Sequence, residues 1–156
     1  MISVYLETTV FNRYLEEWRE YCAETRLLFE KIAERKIKAY TSVYVIEEIQ
    51  KAPEPKRSQM LDLIAEFNIS TLDHSQEAQE LADIYTQSGI IPARFKLDGV
   101  HIAMTTINNI DCIVSLNFQH INKLKTKTAT EVIHNIKGYS NPYICTPMEV
   151  LDDEQF

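Results

Sequence analysis

The sequence predicts an α/β domain: a three-layer sandwich with a mostly parallel central β-sheet flanked by helices. Short β-rich apolar runs recur along the chain. Between them, apolar residues recur at the i, i+3, i+4, i+7 spacing of amphipathic helices. Strands that alternate with helices form βαβ units, whose strands run parallel and whose helices cover both faces of the sheet.

Five runs are predicted to be strands. Each is short and rich in β-branched or aromatic residues, which suits a buried strand. They are ISVYL (2–6), IKAYTS (37–42), NISTL (68–72), DCIVSL (111–116) and YIC (143–145).

The helices are predicted between these runs. Apolar stripes extend over 21–32, 60–67, 78–85, 100–107 and 129–136. TSVYVIEEI (41–49) leaves the second strand and opens a helix, and KLDGVHIAM (96–104) starts one at Asp98. In TPMEVL (146–151), Thr146 is the predicted N-cap, with proline at the first helical position.

Length and composition predict one domain, residues 1–156, with an acidic tail at about 149–156. No apolar run is long enough for a membrane span and no secretion signal opens the chain. The three cysteines, Cys22, Cys112 and Cys145, are odd in number and widely spaced. They indicate neither a disulfide framework nor a cysteine zinc site, so a cytoplasmic location is expected.

The chain is acidic, with a formal net charge of −7. A protein that binds nucleic acid through bulk charge would be basic. Residues 118–139 are locally basic, because this stretch contains one acidic residue, Glu131, and four lysines: Lys123, Lys125, Lys127 and Lys137. A polyanionic partner would therefore need this stretch, an oligomer surface or bound cations.

Acidic and amide side chains are predicted to meet at one edge of the sheet. Glu7 follows the first strand, and Asn117 follows the fourth. Glu47 and Glu48 lie one turn inside the helix after the second strand, and the helix from Asp98 runs back from the same edge. Ligands of open α/β sheets bind beyond the carboxyl ends of the strands, so this edge is the candidate site.

Each residue also has a structural explanation. Asp98 could cap its helix, Asn117 could be a turn residue, and the two glutamates of the second helix could form a solvated face. A capping threonine would account for Thr8 or Thr9 but not for Glu7. Of these residues, Glu7 has the weakest structural explanation, because a carboxylate at the end of a buried strand repels nearby acids. Together the residues favour a site for a hard divalent cation.

Other chemistries do not fit the sequence. It contains no glycine-rich phosphate loop, no G-x-S-x-G elbow and no H-E-x-x-H pair. His101 lies one turn after Asp98 and could face the site, but a packed or surface histidine is the expectation for it.

The candidate site residues lie in motifs that resemble the PIN-domain family of metal-dependent ribonucleases. VYLETTVFN (4–12) is similar to the family's opening strand with its acidic residue. TSVYVIEEIQKAP (41–53) resembles its second motif, which favours Glu48 over Glu47. The strongest similarity is LDGVHIAMTTINNIDCIVSLNFQHI (97–121), and NIKGYSNPYICTPMEVL (135–151) is similar to the closing strand and helix. Glu7 and Asn117 stand where aspartate is commoner, as in a subset of VapC-like members.

The resemblance implies a PIN-like fold and hydrolysis of RNA with Mg²⁺ or Mn²⁺. Glu7 and Asp98 would bind the metal, Glu48 would bind it or its water, and Asn117 would complete the shell or position the phosphate. Lys123, Lys125 and Lys127 would contact the RNA backbone, or form a solvated helix face. The resemblance also permits a toxin with an antitoxin partner, and a homodimer.

Two alternatives remain open. Asn117 in place of an acid would suit a catalytically weak or inactive PIN-like binding or assembly module. A receiver-like signalling domain also gathers acids at a sheet edge, but it needs an aspartate and a lysine at strand ends, and neither Glu7 nor Asn117 supplies the aspartate.

Overall fold

The computed structural model describes residues 1–152, in which five strands and eight α-helices alternate. The strands are β1 (Ile2–Leu6), β2 (Ile37–Ser42), β3 (Ser70–Leu72), β4 (Cys112–Val114) and β5 (Tyr143–Cys145). The helices are α1 (Thr8–Tyr14), α2 (Cys22–Ala33), α3 (Val43–Gln50), α4 (Lys56–Glu66), α5 (Gln76–Gln87), α6 (Lys96–Ile107), α7 (Leu124–Lys137) and α8 (Pro147–Asp152). A short 3₁₀ turn, Ala93–Phe95, leads into α6.

The strands form one sheet in the order β3-β2-β1-β4-β5, and every adjacent pair is parallel. Helices flank the sheet, so the predicted three-layer α/β sandwich is confirmed. Because all strands point the same way, their carboxyl ends share one edge. β1 is central, with Val4 beside Ala39 of β2 and Cys112 of β4.

The core is built around this central strand. Val4, Tyr5 and Leu6 are fully buried, as a strand covered on both faces requires. α5 packs against α6, and α2 packs against α1 and α8. Burial of these apolar side chains is the main force that fixes the sheet edge on which the candidate site lies.

Three of the five strands have the predicted bounds, and the other two are shorter in the structure than predicted. The run 68–72 pairs from Ser70 onward, and the run 111–116 pairs only from Cys112 to Val114. Asp111 instead accepts hydrogen bonds from the backbone and hydroxyl of Ser3, at the opposite edge from the candidate site. The predicted start of α6 at Asp98 is wrong, because the helix begins at Lys96 with Phe95 as N-cap and no side-chain cap.

The predicted cap of α8 is confirmed. Thr146 Oγ1 accepts a hydrogen bond from the backbone N–H of Glu149, and Glu149 Oε1 accepts one from the N–H of Thr146. This is the reciprocal capping box. The described part of the expected acidic tail, 149–152, forms the end of α8, and residues 153–156 lie outside the described residues.

All three cysteines are buried and free. Among residues 1–152, no helix combines the length and apolar character that crossing a membrane requires.

Candidate metal centre

Glu7 links the central strand to the first helix. Its backbone N–H continues the pairing of β1 with β4 by donating to Val114 O, at 3.2 Å. Its side chain, only 2% exposed, is the N-cap of α1 and accepts from the Thr9 N–H. Glu7 Oε1 also accepts from the hydroxyls of Thr9 and Ser115, each at 2.6 Å. The interpretation that capping would not account for Glu7 is therefore wrong, since Glu7 is the N-cap and both threonines lie inside the helix.

Glu48 reaches the same place from α3. This helix starts directly after β2, where Ser42 caps it by accepting from the Tyr44 N–H. Glu48 Oε1 accepts from Thr8 Oγ1 and lies 2.6 Å from His101 Nε2. Its neighbour Glu47 instead contacts the exposed His74.

His101 of α6 is the third member of this group. Its side chain is fully buried, as the expectation of a packed histidine requires, but it also contacts the acids. In the neutral form that donates from Nε2 to Glu48, its Nδ1 accepts from Tyr5 OH at 2.7 Å. Tyr5 OH in turn lies 2.7 Å from Ser42 Oγ. This chain of contacts fixes the ring of His101 and aims it at Glu48.

Glu7, Glu48 and His101 form the Glu7 cluster. Each offers one ligand atom, and these three atoms lie within 4.8 Å of one another. Among residues 1–152, this is the group of three or more acids, histidines or cysteines that is compact enough to hold a metal ion. Two carboxylates suit Mg²⁺ or Mn²⁺, and the imidazole is compatible with a softer divalent ion as well.

The cluster shifts the protonation of all three groups. Burial raises the pKa of the Glu7 carboxyl above its usual value, despite nearby His101 and the hydrogen bonds from Ser115 and Thr9. Burial also acts to raise the pKa of Glu48, but the hydrogen bond and charge of His101 outweigh it and lower that pKa. Burial opposes protonation of His101, yet Glu48 outweighs it and raises the pKa of the imidazole. The contact between Glu48 and His101 therefore favours the charged form of each, whereas burial disfavours the charged form of Glu7.

Asp98 and Asn117 meet at a second histidine, His120. His120 Nδ1 lies 2.8 Å from Asp98 Oδ2, and its backbone N–H donates to Asn117 Oδ1 at 3.0 Å. The ring of His120 stacks on Phe95, with centroids 4.2 Å apart. We call Asp98, His120 and Asn117 the His120 bridge. The Asp98 carboxylate does not belong to the compact Glu7 cluster.

The His120 bridge adjoins the Glu7 cluster through two connections. The Asn117 N–H donates to Ser115 Oγ, whose hydroxyl donates to Glu7. Asp98 lies one turn before His101 on α6, and its negative charge contributes to the raised pKa of His101. The four acidic or amide residues expected at this edge thus lie in two linked groups.

The three lysines expected to contact RNA lie at the start of α7. Lys123 is the N-cap residue, and Lys125 Nζ donates to the carbonyl of Gly89. Lys125 is exposed, whereas Lys123 and Lys127 are half-buried.

Sequence reasoning missed the contacts of both histidines. Neither the His101–Glu48 pair nor the Asp98–His120 pair is visible locally, because the partners are 53 and 22 positions apart. Two signals were available: His101 follows Asp98 by one helical turn, and His120 follows Asn117 by three residues.

Comparisons with known proteins support the fold. No protein-family model matches the chain, and no curated protein matches its sequence. Among solved structures, the chain is similar to one in the crystal structure of VapBC2 from Rickettsia felis bound to a DNA fragment from their promoter. The two chains are 16% identical, with a TM-score of 0.59, over 93% of this chain and 98% of the other. This likeness confirms the predicted PIN-like α/β fold.

Proposed function

We propose that this chain is a metal-dependent endoribonuclease that hydrolyses RNA phosphodiester bonds. The observation that carries the proposal is the buried convergence of Glu7 and Glu48 at the carboxyl edge of the sheet. Two carboxylates in such a place are costly without a compensating cation. The motif resemblance and the PIN-like fold support RNA as the substrate. We propose that the chain belongs with the VapC-like members that have glutamate at the first acidic position and asparagine at the last.

The donor set fits a hard divalent ion, Mg²⁺ or Mn²⁺. Glu48 Oε2 accepts no hydrogen bond from residues 1–152, because both donors to this carboxylate reach Oε1. Glu7 and Glu48 would hold the ion, with His101 orienting Glu48. When bound, such an ion supplies an activated water and offsets the charge on the reacting phosphate.

The other site residues have supporting roles in this proposal. Asp98 adds a third carboxylate at the rim, and His120 holds it by the contact at 2.8 Å. Asn117 turns the chain after β4 and presents a neutral amide to the phosphate. Lys123, Lys125 and Lys127 would contact backbone phosphates of the RNA, which position a substrate without reading its sequence.

A toxin role with an antitoxin partner is our proposal for the biological setting, together with a homodimer and a cytoplasmic location. The likeness to a chain of VapBC2 supports the toxin–antitoxin part.

The second candidate is a PIN-like binding or assembly module with weak or no activity. The observation that favours it is that one side-chain oxygen of Asn117 and one of Asp98 already contact His120. Calorimetric titration separates the two candidates. The nuclease should release or absorb heat with millimolar Mn²⁺, whereas an inert module should give none.

The proposal is tested by RNA cleavage with matched variants of neighbouring residues. Glu48→Gln removes a cluster carboxylate, whereas Glu47→Gln removes an exposed one on the same helix. With Mn²⁺, we expect Glu48→Gln and Asp98→Asn to lose at least roughly 100-fold in rate, and Glu47→Gln to retain wild-type activity. A wild-type protein that leaves RNA intact with Mg²⁺ and Mn²⁺, or a fully active Glu48→Gln protein, would overturn the proposal.

A further inference from the structure

An open groove lies beside the His120 bridge. It has a volume of about 490 Å³, within the roughly 300–1,000 Å³ range of sites that hold small ligands. It is formed between the α1–α2 connection and the loop after β4. Its lining residues are Arg13, Trp18, Arg19, Glu20, Tyr21, Leu116 and Phe118.

Two of the aromatic side chains that line this groove are accessible to solvent. Trp18 is 78% exposed and Phe118 is 46% exposed, although large aromatic side chains usually bury most of their area. Tyr21 and Phe118 lie with ring centroids 5.8 Å apart. The fold gains little from rings held in solvent, so their accessible faces are free to stack on a ligand.

The segment that carries Trp18 is held in place. Arg13 Nη1 donates to the carbonyl of Glu20 at 2.7 Å, and Glu16 forms ion pairs with both Arg13 and Arg19. Tyr21 has a left-handed backbone, with φ of 70°, directly before α2. Contacts that hold the backbone of this segment reduce the conformational entropy that is lost when a ligand binds to it.

The groove is attached to the candidate metal centre. The Leu116 N–H donates to Thr9 Oγ1, and the same hydroxyl donates to Glu7. Phe118 follows Asn117 directly in the chain. A base held against Phe118 would therefore place its phosphate next to the rim that carries Asp98 and Glu7.

The chemistry of the groove fits a nucleobase better than a phosphate. Arg13 and Arg19 both form ion pairs with Glu16, so the groove has no excess of positive charge to attract a phosphate. Aromatic faces stack on any base, and this stacking needs no net positive charge. An acidic chain that acts on RNA has to gain affinity from such contacts or from cations.

We infer that Trp18, Tyr21 and Phe118 form a stacking subsite for unpaired bases of single-stranded RNA next to the cleavage site. This inference deepens the proposed nuclease function and rests on it, because it names the form of the RNA substrate. Bases inside a duplex are already stacked and do not reach the groove.

Trp18 is the chain's single tryptophan, so its fluorescence reports on the subsite directly. A short oligoadenylate is titrated with Mg²⁺ into the full-length Asp98→Asn protein, which is expected not to cleave it. Matched probes are an abasic oligomer of equal length and charge, and the oligoadenylate annealed to its complement. We expect quenching by the single strand and little by either control.

Variants separate stacking from general binding. Phe118→Ala should weaken oligoadenylate binding roughly 5- to 100-fold, whereas Phe118→Trp should retain it when binding is followed by anisotropy of a labelled oligomer. Ile136→Ala, which changes an exposed apolar residue at the far end of α7, is the matched control and should bind like the parent. Thermal melting checks that each variant is folded.

Quenching of equal size by the abasic oligomer would overturn the inference and leave a phosphate-binding surface. Absence of quenching by any oligonucleotide would also overturn it and leave the groove as a surface for a protein. If wild-type protein fails to cleave RNA but the stacking pattern holds, the nuclease proposal fails alone and the chain is a module that binds single strands.

Discussion

Glu7 accepts hydrogen bonds from Thr9 and Ser115 while almost none of its side chain meets solvent. The same carboxylate caps α1 and belongs to the candidate metal centre. A buried carboxylate whose pKa is raised by burial destabilises the ionised protein at neutral pH. Retaining it therefore requires compensation, and in our account a divalent ion provides it.

In Glu7→Gln, the free energy of unfolding should no longer depend on the concentration of metal. Without metal, this variant should be at least as stable as wild type at neutral pH, because it no longer buries a charge. At a free Mn²⁺ concentration of about ten times the dissociation constant, wild type should gain about 1.4 kcal/mol, and the variant should gain almost nothing. Urea unfolding with and without Mn²⁺ measures both effects. A variant that Mn²⁺ stabilises as much as wild type would remove Glu7 from the ion's ligands.

His101→Gln should weaken metal binding through Glu48. The imidazole fixes Glu48 by the contact at 2.6 Å, and it is itself held by Tyr5. Loss of a residue that orients a ligand typically costs 10- to 100-fold in metal affinity, so we expect roughly that loss for Mn²⁺. Calorimetry measures it, with Tyr5→Phe expected to show a smaller loss. Unchanged affinity in His101→Gln would mean that His101 only fills space.

At the scale of elements, helix α7 is tied to α5 by a buried histidine. His134 Nδ1 donates to Asn141 Oδ1 at 2.8 Å, and Nε2 accepts from Tyr85 OH. Acceptance from Tyr85 requires the neutral imidazole, and burial lowers the pKa of His134 below its usual value although the hydrogen bond to Asn141 acts to raise it. The folded protein thus binds this proton less readily than the unfolded chain does.

This contact gives a pH dependence of stability. The free energy of unfolding should fall as the pH drops below the ordinary histidine pKa, because the unfolded chain takes up a proton that the folded state resists. Urea unfolding between about pH 7 and pH 5.5 should show this decline in wild type and a shallower one in His134→Gln. Equal slopes in both proteins would contradict the assignment.

The start of α7 offers a separate test of the proposed RNA contacts. Replacing Lys123, Lys125 and Lys127 together by alanine should weaken RNA binding similarly for all sequences. Each lost phosphate contact lowers the salt dependence by about 0.7 in log–log slope for single strands, so up to about 2 is expected. Filter binding over a salt series measures it. An unchanged slope would assign the three lysines to a solvated helix face.

The elements show which parts of the fold the sequence could predict. β1, β2 and β5 have the bounds that their apolar runs indicate. The fourth run is too long in the prediction because its ends serve other contacts, at Asp111 and at Ser115. The start of α6 was mispredicted because Asp98 is a favourable capping residue, while a 3₁₀ turn before Lys96 leaves no clear local pattern.

The site was predictable to the extent that strand direction determines it. Glu7 and Asn117 follow parallel neighbouring strands, and Glu48 lies on a helix that starts at the same edge, so their proximity follows from topology. Topology alone did not predict that these residues divide into the Glu7 cluster and the His120 bridge. A histidine on a helix stripe gives the same sequence pattern whether it packs against apolar groups or holds a carboxylate.

At the scale of the whole molecule, the net charge of −7 opposes RNA binding at the acidic rim. In the function proposed above, divalent ions at the Glu7 cluster and stacking at the adjacent groove would offset this repulsion.

The most direct test of the central claim is a crystal structure of the protein soaked in Mn²⁺, with anomalous scattering recorded for the metal. Our account predicts an anomalous peak bonded to carboxylate oxygens of both Glu7 and Glu48, and its loss in Glu48→Gln crystals. A fully soaked crystal with no peak at these carboxylates, or with Mn²⁺ bound only elsewhere, would contradict it.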